Sequence, residues 1–154
     1  MGQISKAQKT VLGLLATNLF SADYSPDTDT DWAAVLEESR LQAVQSIVFQ
    51  NHKTLALEGE MRGTVEKALK KSTMSNIRCF RDHANLHALM TKHDIPYCML
   101  KGVVSASYYP EPLLRTMGDV DFYVHPDDLD RAARVLEEDG FARQGGVTRC
   151  IFRS

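Results

Sequence analysis

A chain of 154 residues with 44% hydrophobic residues and a net charge of −2 has the composition of an ordinary folded domain with room for a core. The near-zero charge is shared evenly: 11 Lys/Arg face 11 Asp/Glu in residues 1–94, and 7 face 9 in residues 95–154, which excludes bulk attraction to polyanions. No apolar run is long enough to span a bilayer, and the start Met1-Gly2-Gln3-Ile4-Ser5-Lys6 has neither a signal-type apolar core nor, with lysine at position 6, the full myristoylation pattern.

Ile4, Val11, Leu12, Leu15 and Leu19 recur at helical spacing and predict a first helix. Ser21 to Asp31 is a polar linker with Pro26 and four aspartates. Asp31 is placed to cap a second helix whose apolar face opens with Trp32, Val35 and Leu36. That stretch continues, with a break near Ser39-Arg40, through Ile47 and Val48 to about Lys53. A long helix is predicted from about Gly59 to His93. Met61, Val65, Ala68, Leu69, Cys79, Phe80, Leu86 and Met90 fall on one side of it, and Lys67, Lys70, Lys71, Arg78 and Arg81 on the other. The basic side suits a phosphate backbone such as an RNA acceptor, or simply a solvated face. His83 and His87, four apart near the apolar side, have no Cys or carboxylate to complete a metal site. They read as partnered core or half-buried histidines.

The pattern changes after Asp94. Ile95-Pro96 stops the helix. Tyr97 to Leu100 suits a buried strand, Lys101-Gly102 ends it, and Val103 to Tyr109 predicts a short helix closed by Pro110-Glu111-Pro112. Asp119 to Val124 alternates polar and apolar residues and reads as a strand. Pro126 opens a helix with Leu129, Ala132, Ala133 and Leu136 on its stripe, and Gly140 stops it. Phe141 to Ser154 begins another strand with Gly145-Gly146 as a turn. The fold class is α+β: a helical region over 1–94, then a small mixed sheet with flanking helices over 95–154. The cysteines, Cys79, Cys98 and Cys150, are odd in number and widely spaced, as expected of reduced, mostly buried thiols in a cytoplasmic protein.

Asp119 and Asp121 carry the chemistry. On a strand, residues two apart share a face, with Cα atoms about 6.6 Å apart at about 3.3 Å per residue. Two such carboxylates converge on a hard divalent cation, Mg²⁺ or Mn²⁺, which takes one or two carboxylates together with substrate phosphates. Without a cation they repel each other, and Asp is disfavoured in strands, so a plain solvated edge is the weaker reading. Val120, Phe122 and Val124 would anchor the opposite face. Gly118 removes a side chain where a substrate approaches. One strand earlier, Lys101-Gly102 puts a positive charge and a permissive backbone at a turn suited to an anion.

Leu100-Lys101-Gly102, Tyr109-Pro110, and Leu114-Arg115-Thr116-Met117-Gly118-Asp119-Val120-Asp121-Phe122-Tyr123-Val124 resemble a poorly characterised nucleotidyltransferase-like family of the DNA polymerase β superfamily. Pro126-Asp127-Asp128-Leu129 and Gly140-Phe141 continue the resemblance, which is specific over about 97–141 and loose over 30–95. It implies that Asp119 and Asp121 coordinate Mg²⁺ and a nucleoside triphosphate, and that Lys101-Gly102 faces the phosphates. Arg115 would hold phosphate or the Asp pair, or form a structural salt bridge.

Two departures stand out. The superfamily's phosphate turn has Gly-Ser or Gly-Gly, whereas here Lys101-Gly102-Val103 leaves a hydroxyl contact only to Ser105. The superfamily also uses a third acidic residue on a later strand, and no Asp or Glu follows Asp139. Residues 95–154 are therefore expected to be a partial nucleotidyltransferase core, present as a fragment. The expected function is Mg²⁺-dependent transfer of a nucleoside monophosphate to an RNA, protein or small-molecule acceptor. The alternative is a non-catalytic nucleotide-binding or antitoxin-like interaction module. The sequence sets no oligomeric state.

Overall fold

Ser5 starts the first helix, α1 (Lys6–Phe20), through a reciprocal cap: its hydroxyl accepts from the Gln8 N–H, and the Gln8 side chain accepts from the Ser5 N–H, both at 3.1 Å. The computed structural model that shows this describes residues 3–144 and 151–153. Gly145-Gly146 and Cys150 lie outside the described residues. Thr10, Val11 and Leu14 are the buried positions of α1, while Ile4 precedes the helix and Leu12 stays exposed. The inward stripe is thus narrower than the apolar spacing predicted.

Asp31 caps α2 (Trp32–Leu41) as expected, its carboxylate accepting from the Ala34 N–H at 3.0 Å. The break falls slightly later than predicted, at Gln42–Val44, where Ala43 takes a positive φ of 56°. A single-turn helix, α3 (Gln45–Val48), and a 3-10 turn at His52–Thr54 follow.

The chain forms two compact units, each built from two segments. The first comprises Met1–Arg78 and Ser105–Gly118. Its core gathers Val11, Leu14, Val35, Leu36, Val48, Phe49, Leu57 and Val65. Polar side chains stitch it: Asn18 Nδ2 donates to the Ile47 carbonyl at 2.7 Å, and the buried hydroxyls of Ser46 and Ser72 meet at 2.7 Å. The second unit comprises Cys79–Val104 and Asp119–Ser154. Its core is Leu86, Met90, Ile95, Val124, Ala132, Val135 and Leu136.

The long helix, α4 (Gly59–Lys92), supplies residues to both units and matches its predicted span. Its buried positions include Val65, Ser72, Asn76, Cys79, His83, Leu86 and Met90, which recur every three or four residues from Ser72 onward. Lys67, Lys70, Lys71, Arg78 and Arg81 are all exposed, as the opposite face requires.

In the second unit β1 (Tyr97–Met99) pairs antiparallel with β2 (Phe122–Val124), with Cys98 opposite Tyr123. Tyr97 and Met99 pack inward, whereas Cys98 and Leu100 are exposed, so β1 is half-buried rather than buried. A strand with one covered face needs alternation only, and the apolar outward residues conceal it. The helix after β1, α5 (Val103–Ala106), is a single turn and shorter than predicted. The helix α6 (Leu129–Glu138) follows a 3-10 turn at Pro126–Asp128 and buries Ala132, Ala133, Val135 and Leu136. β3 (Ala142–Gln144) pairs antiparallel with β4 (Ile151–Arg153). The α+β class stands. Among the described residues, however, the sheets are two antiparallel pairs in place of one mixed sheet. No helix among the described residues is long and apolar enough to cross a membrane.

Candidate nucleotide and metal site

Asp119 and Asp121 do not lie within the ladder. β2 begins at Phe122, so the alternation predicted from Asp119 is regular strand only from Phe122 to Val124. One further backbone bond extends the pairing: the Leu100 N–H donates to the Asp121 carbonyl at 3.1 Å. Val120 and Phe122 pack against the core of this unit, and Val124 is part of it, as predicted. Asp119 is exposed and Asp121 half-buried. Like-charged neighbours weaken strand pairing, so regular structure begins where the acidic residues end.

The backbone at Asp119 is tied to α4, with the Cys79 thiol donating to its carbonyl at 3.8 Å. Cys79 is buried and Cys98 exposed, and neither forms a disulfide among the described residues. Lys101 Nζ stands 2.8 Å from Asp121 Oδ2 as an ion pair. With the Lys101 side chain 56% and the Asp121 side chain 33% exposed, such a pair adds about 0–1 kcal/mol to stability. Its consequence is placement: a cation and a carboxylate are held together at the turn after β1.

Gly102 is buried at that turn with φ +70°. A Cβ there would lie 2.6 Å from His83 Cε1 and closer still to Nε2, so both backbone and packing require glycine. Gly102→Ala is therefore expected to destabilise the protein by about 2 kcal/mol or more, from left-handed strain plus displacement of a buried ring. Chemical denaturation measures this, and an unchanged midpoint would contradict the packing argument. The anion-binding contribution of a helix start is small here, because α5 has only four residues.

Both histidines depart from the expected partnered core or half-buried state, His87 by being exposed and His83 by lacking a partner among the described residues; His83 is the buried one. It is 3% exposed, and among the described residues neither ring nitrogen has a hydrogen-bond partner. The expectation of a partnered core histidine fails because only the tertiary packing puts Gly102, which has no side chain, against the ring. Burial lowers the His83 pKa, and the negative charges of Asp82 and Asp121 oppose that shift more weakly, so the ring is neutral at pH 7. His87 is exposed, with Nδ1 2.7 Å from the Tyr97 hydroxyl.

The remaining predicted residues belong to the first unit. Gly118 is exposed, and a Cβ there would meet nothing within 4 Å, so packing does not demand glycine. Arg115 is half-buried and donates to the Thr116 carbonyl at 3.5 Å. No ion pair of Arg115 is formed among the described residues. Ser105 is half-buried in α5, its carbonyl accepting from the Tyr108 N–H at 3.4 Å. Among the described residues no three His, Cys, Asp or Glu side chains are grouped to hold a metal ion. Two aspartates remain, the donor number that suits Mg²⁺ when phosphate oxygens complete its shell.

An acidic pair thus stands at the entry of a strand, its second member ion-paired to a lysine at a glycine turn. The chain belongs to the family of uncharacterised nucleotidyltransferases, whose sequence pattern matches residues 28–149. The family named from the Leu100 to Val124 motifs is thereby the right one, and the match extends over the helical region as well. Neither a curated protein nor a solved structure matches the chain.

Proposed function

We propose that this nucleotidyltransferase joins a nucleoside monophosphate, taken from a nucleoside triphosphate with Mg²⁺ or Mn²⁺, to an acceptor hydroxyl. The hydroxyl oxygen gives up its proton to solvent and bonds to the α-phosphorus, the bond from the α-phosphorus to the bridging oxygen of the β-phosphate breaks, and pyrophosphate leaves. The observation that carries this reading is the Lys101–Asp121 pair at 2.8 Å, two residues after the Asp119 backbone tied to Cys79. Asp119 and Asp121 are the residues to hold the divalent ion, which when bound would polarise the phosphate. Lys101 supplies positive charge for the phosphate oxygens, and Gly102 lets the backbone come close. RNA and protein hydroxyls are both suitable acceptors, and the exposed basic face of α4 favours neither over the other.

Calorimetric titration with each of the four Mg²⁺–NTPs tests the reading. Saturable binding that disappears in EDTA is expected. Lys101→Met should weaken it about tenfold, the worth of one charge-assisted hydrogen bond. Binding of equal strength in EDTA would refute the role of the aspartates, and no binding of any nucleotide would overturn the proposal.

A further inference from the structure

Resting on the proposed nucleotide site, we propose that His83 is a phosphate-contacting residue: its imidazole donates a hydrogen bond from a ring nitrogen to a phosphate oxygen of a nucleotide seated on the Lys101–Gly102 turn.

Three independent features of the second unit converge on this ring. His83 lies one helical turn after Cys79, whose thiol holds the Asp119 carbonyl, so a single face of α4 underlies both limbs of the site. Gly102 packs directly on the ring and presents only hydrogen to it, so no side chain intervenes between the imidazole and the turn. Both ring nitrogens are buried without a partner among the described residues.

A buried polar group left unpaired lowers stability, whereas an apolar side chain of similar shape at the same place would not. Local rules broken in this way concentrate at functional positions. The groups that set the charge around the ring are Asp82 on its own helix and Asp121 opposite, with Lys101 paired to Asp121. An uncharged imidazole still carries one N–H, which suits a phosphate oxygen and leaves the cationic share of the task to Lys101.

The test uses the whole chain and Mg²⁺–ATP, Mg²⁺–CTP, Mg²⁺–GTP and Mg²⁺–UTP as probes. His83→Leu should melt at or above the wild-type temperature and yet bind the preferred nucleotide at least about tenfold more weakly, the loss of a hydrogen bond to a charged group. His83→Gln, which keeps an N–H donor, should recover part of that affinity. Nitrogen-15 spectra of the wild-type histidines provide a readout that needs no variant: the His83 ring signals should move on addition of Mg²⁺–NTP.

Wild-type affinity in His83→Leu, or ring signals that stay in place at saturating nucleotide, would overturn the assignment of His83 while leaving the aspartate site standing. A lowered melting temperature in His83→Leu, with binding lost and no recovery in His83→Gln, would show a structural role only. Absence of nucleotide binding by the wild-type chain would overturn the site itself and this inference with it.

Discussion

The variant Asp119→Ala/Asp121→Ala is expected to lose metal-dependent nucleotide binding by about a hundredfold or more, since each carboxylate lost removes a charged ligand of a hard cation. The same change should leave folding intact, within about 0.5 kcal/mol of wild type, because both residues precede the regular ladder and neither is buried. Like charges at alternate positions repel, so their removal relieves strain in the free protein. Asp121→Ala alone also deprives Lys101 of its partner at 2.8 Å. That variant is expected to retain weak, metal-independent attraction for triphosphate through the lysine. Calorimetry with Mg²⁺ and with Mn²⁺ separates these effects, and a double variant that binds as the wild type does would remove the aspartates from the site.

The second large effect concerns stability. Asn76 is fully buried on α4, and both ends of its amide are used. Nδ2 donates to the Leu113 carbonyl at 2.6 Å, and Oδ1 accepts from the buried Met117 N–H at 3.1 Å. The segment that leads into Gly118-Asp119 is thereby fixed by one side chain. Asn76→Leu removes a donor and an acceptor together and leaves two backbone groups unpaired, at about 1–3 kcal/mol each. For a protein stable by about 5–15 kcal/mol, that loss is a large share of the total. A melting temperature lower by about 10 °C is expected, at about 2–4 °C per kcal/mol for a chain of this size. Asn76→Asp keeps the acceptor but sets a carboxylate oxygen against the Leu113 carbonyl in a fully buried place, so at pH 7 it should melt at least as low as Asn76→Leu. A fall of less than about 2 °C in Asn76→Leu would show that these bonds contribute little.

Much of this architecture was legible in the residues alone because its signals are local. Asp31 before Trp32 is a cap whatever lies around it, and a helix from Gly59 to Lys92 follows from periodicity and from the stop at Ile95-Pro96. The family was equally legible: Lys101-Gly102 and Gly118-Asp119-Val120-Asp121 resemble the nucleotidyltransferase family whose pattern matches residues 28–149. The pattern along the chain changes from helix to strand at Asp94, while the compact units divide at Arg78 and again near Val104 and Gly118. Compactness depends on contacts between distant segments, which composition along the chain does not record.

What only the tertiary structure decided concerns polar groups in apolar positions. Ser72, Asn76 and His83 occupy the inward register of α4, and periodicity alone assigns such positions to core without stating their partners. Asn76 finds two backbone partners from a segment 37 and 41 residues away, so its amide is satisfied. His83 meets a glycine, which offers it no polar side chain, and stays unpaired among the described residues. The pairing of Lys101 with Asp121 likewise arises from the antiparallel register that sets Leu100 beside Asp121. Spacing in sequence determines which face of an element a residue occupies. Which group waits on the other side is determined by packing between elements distant in the chain.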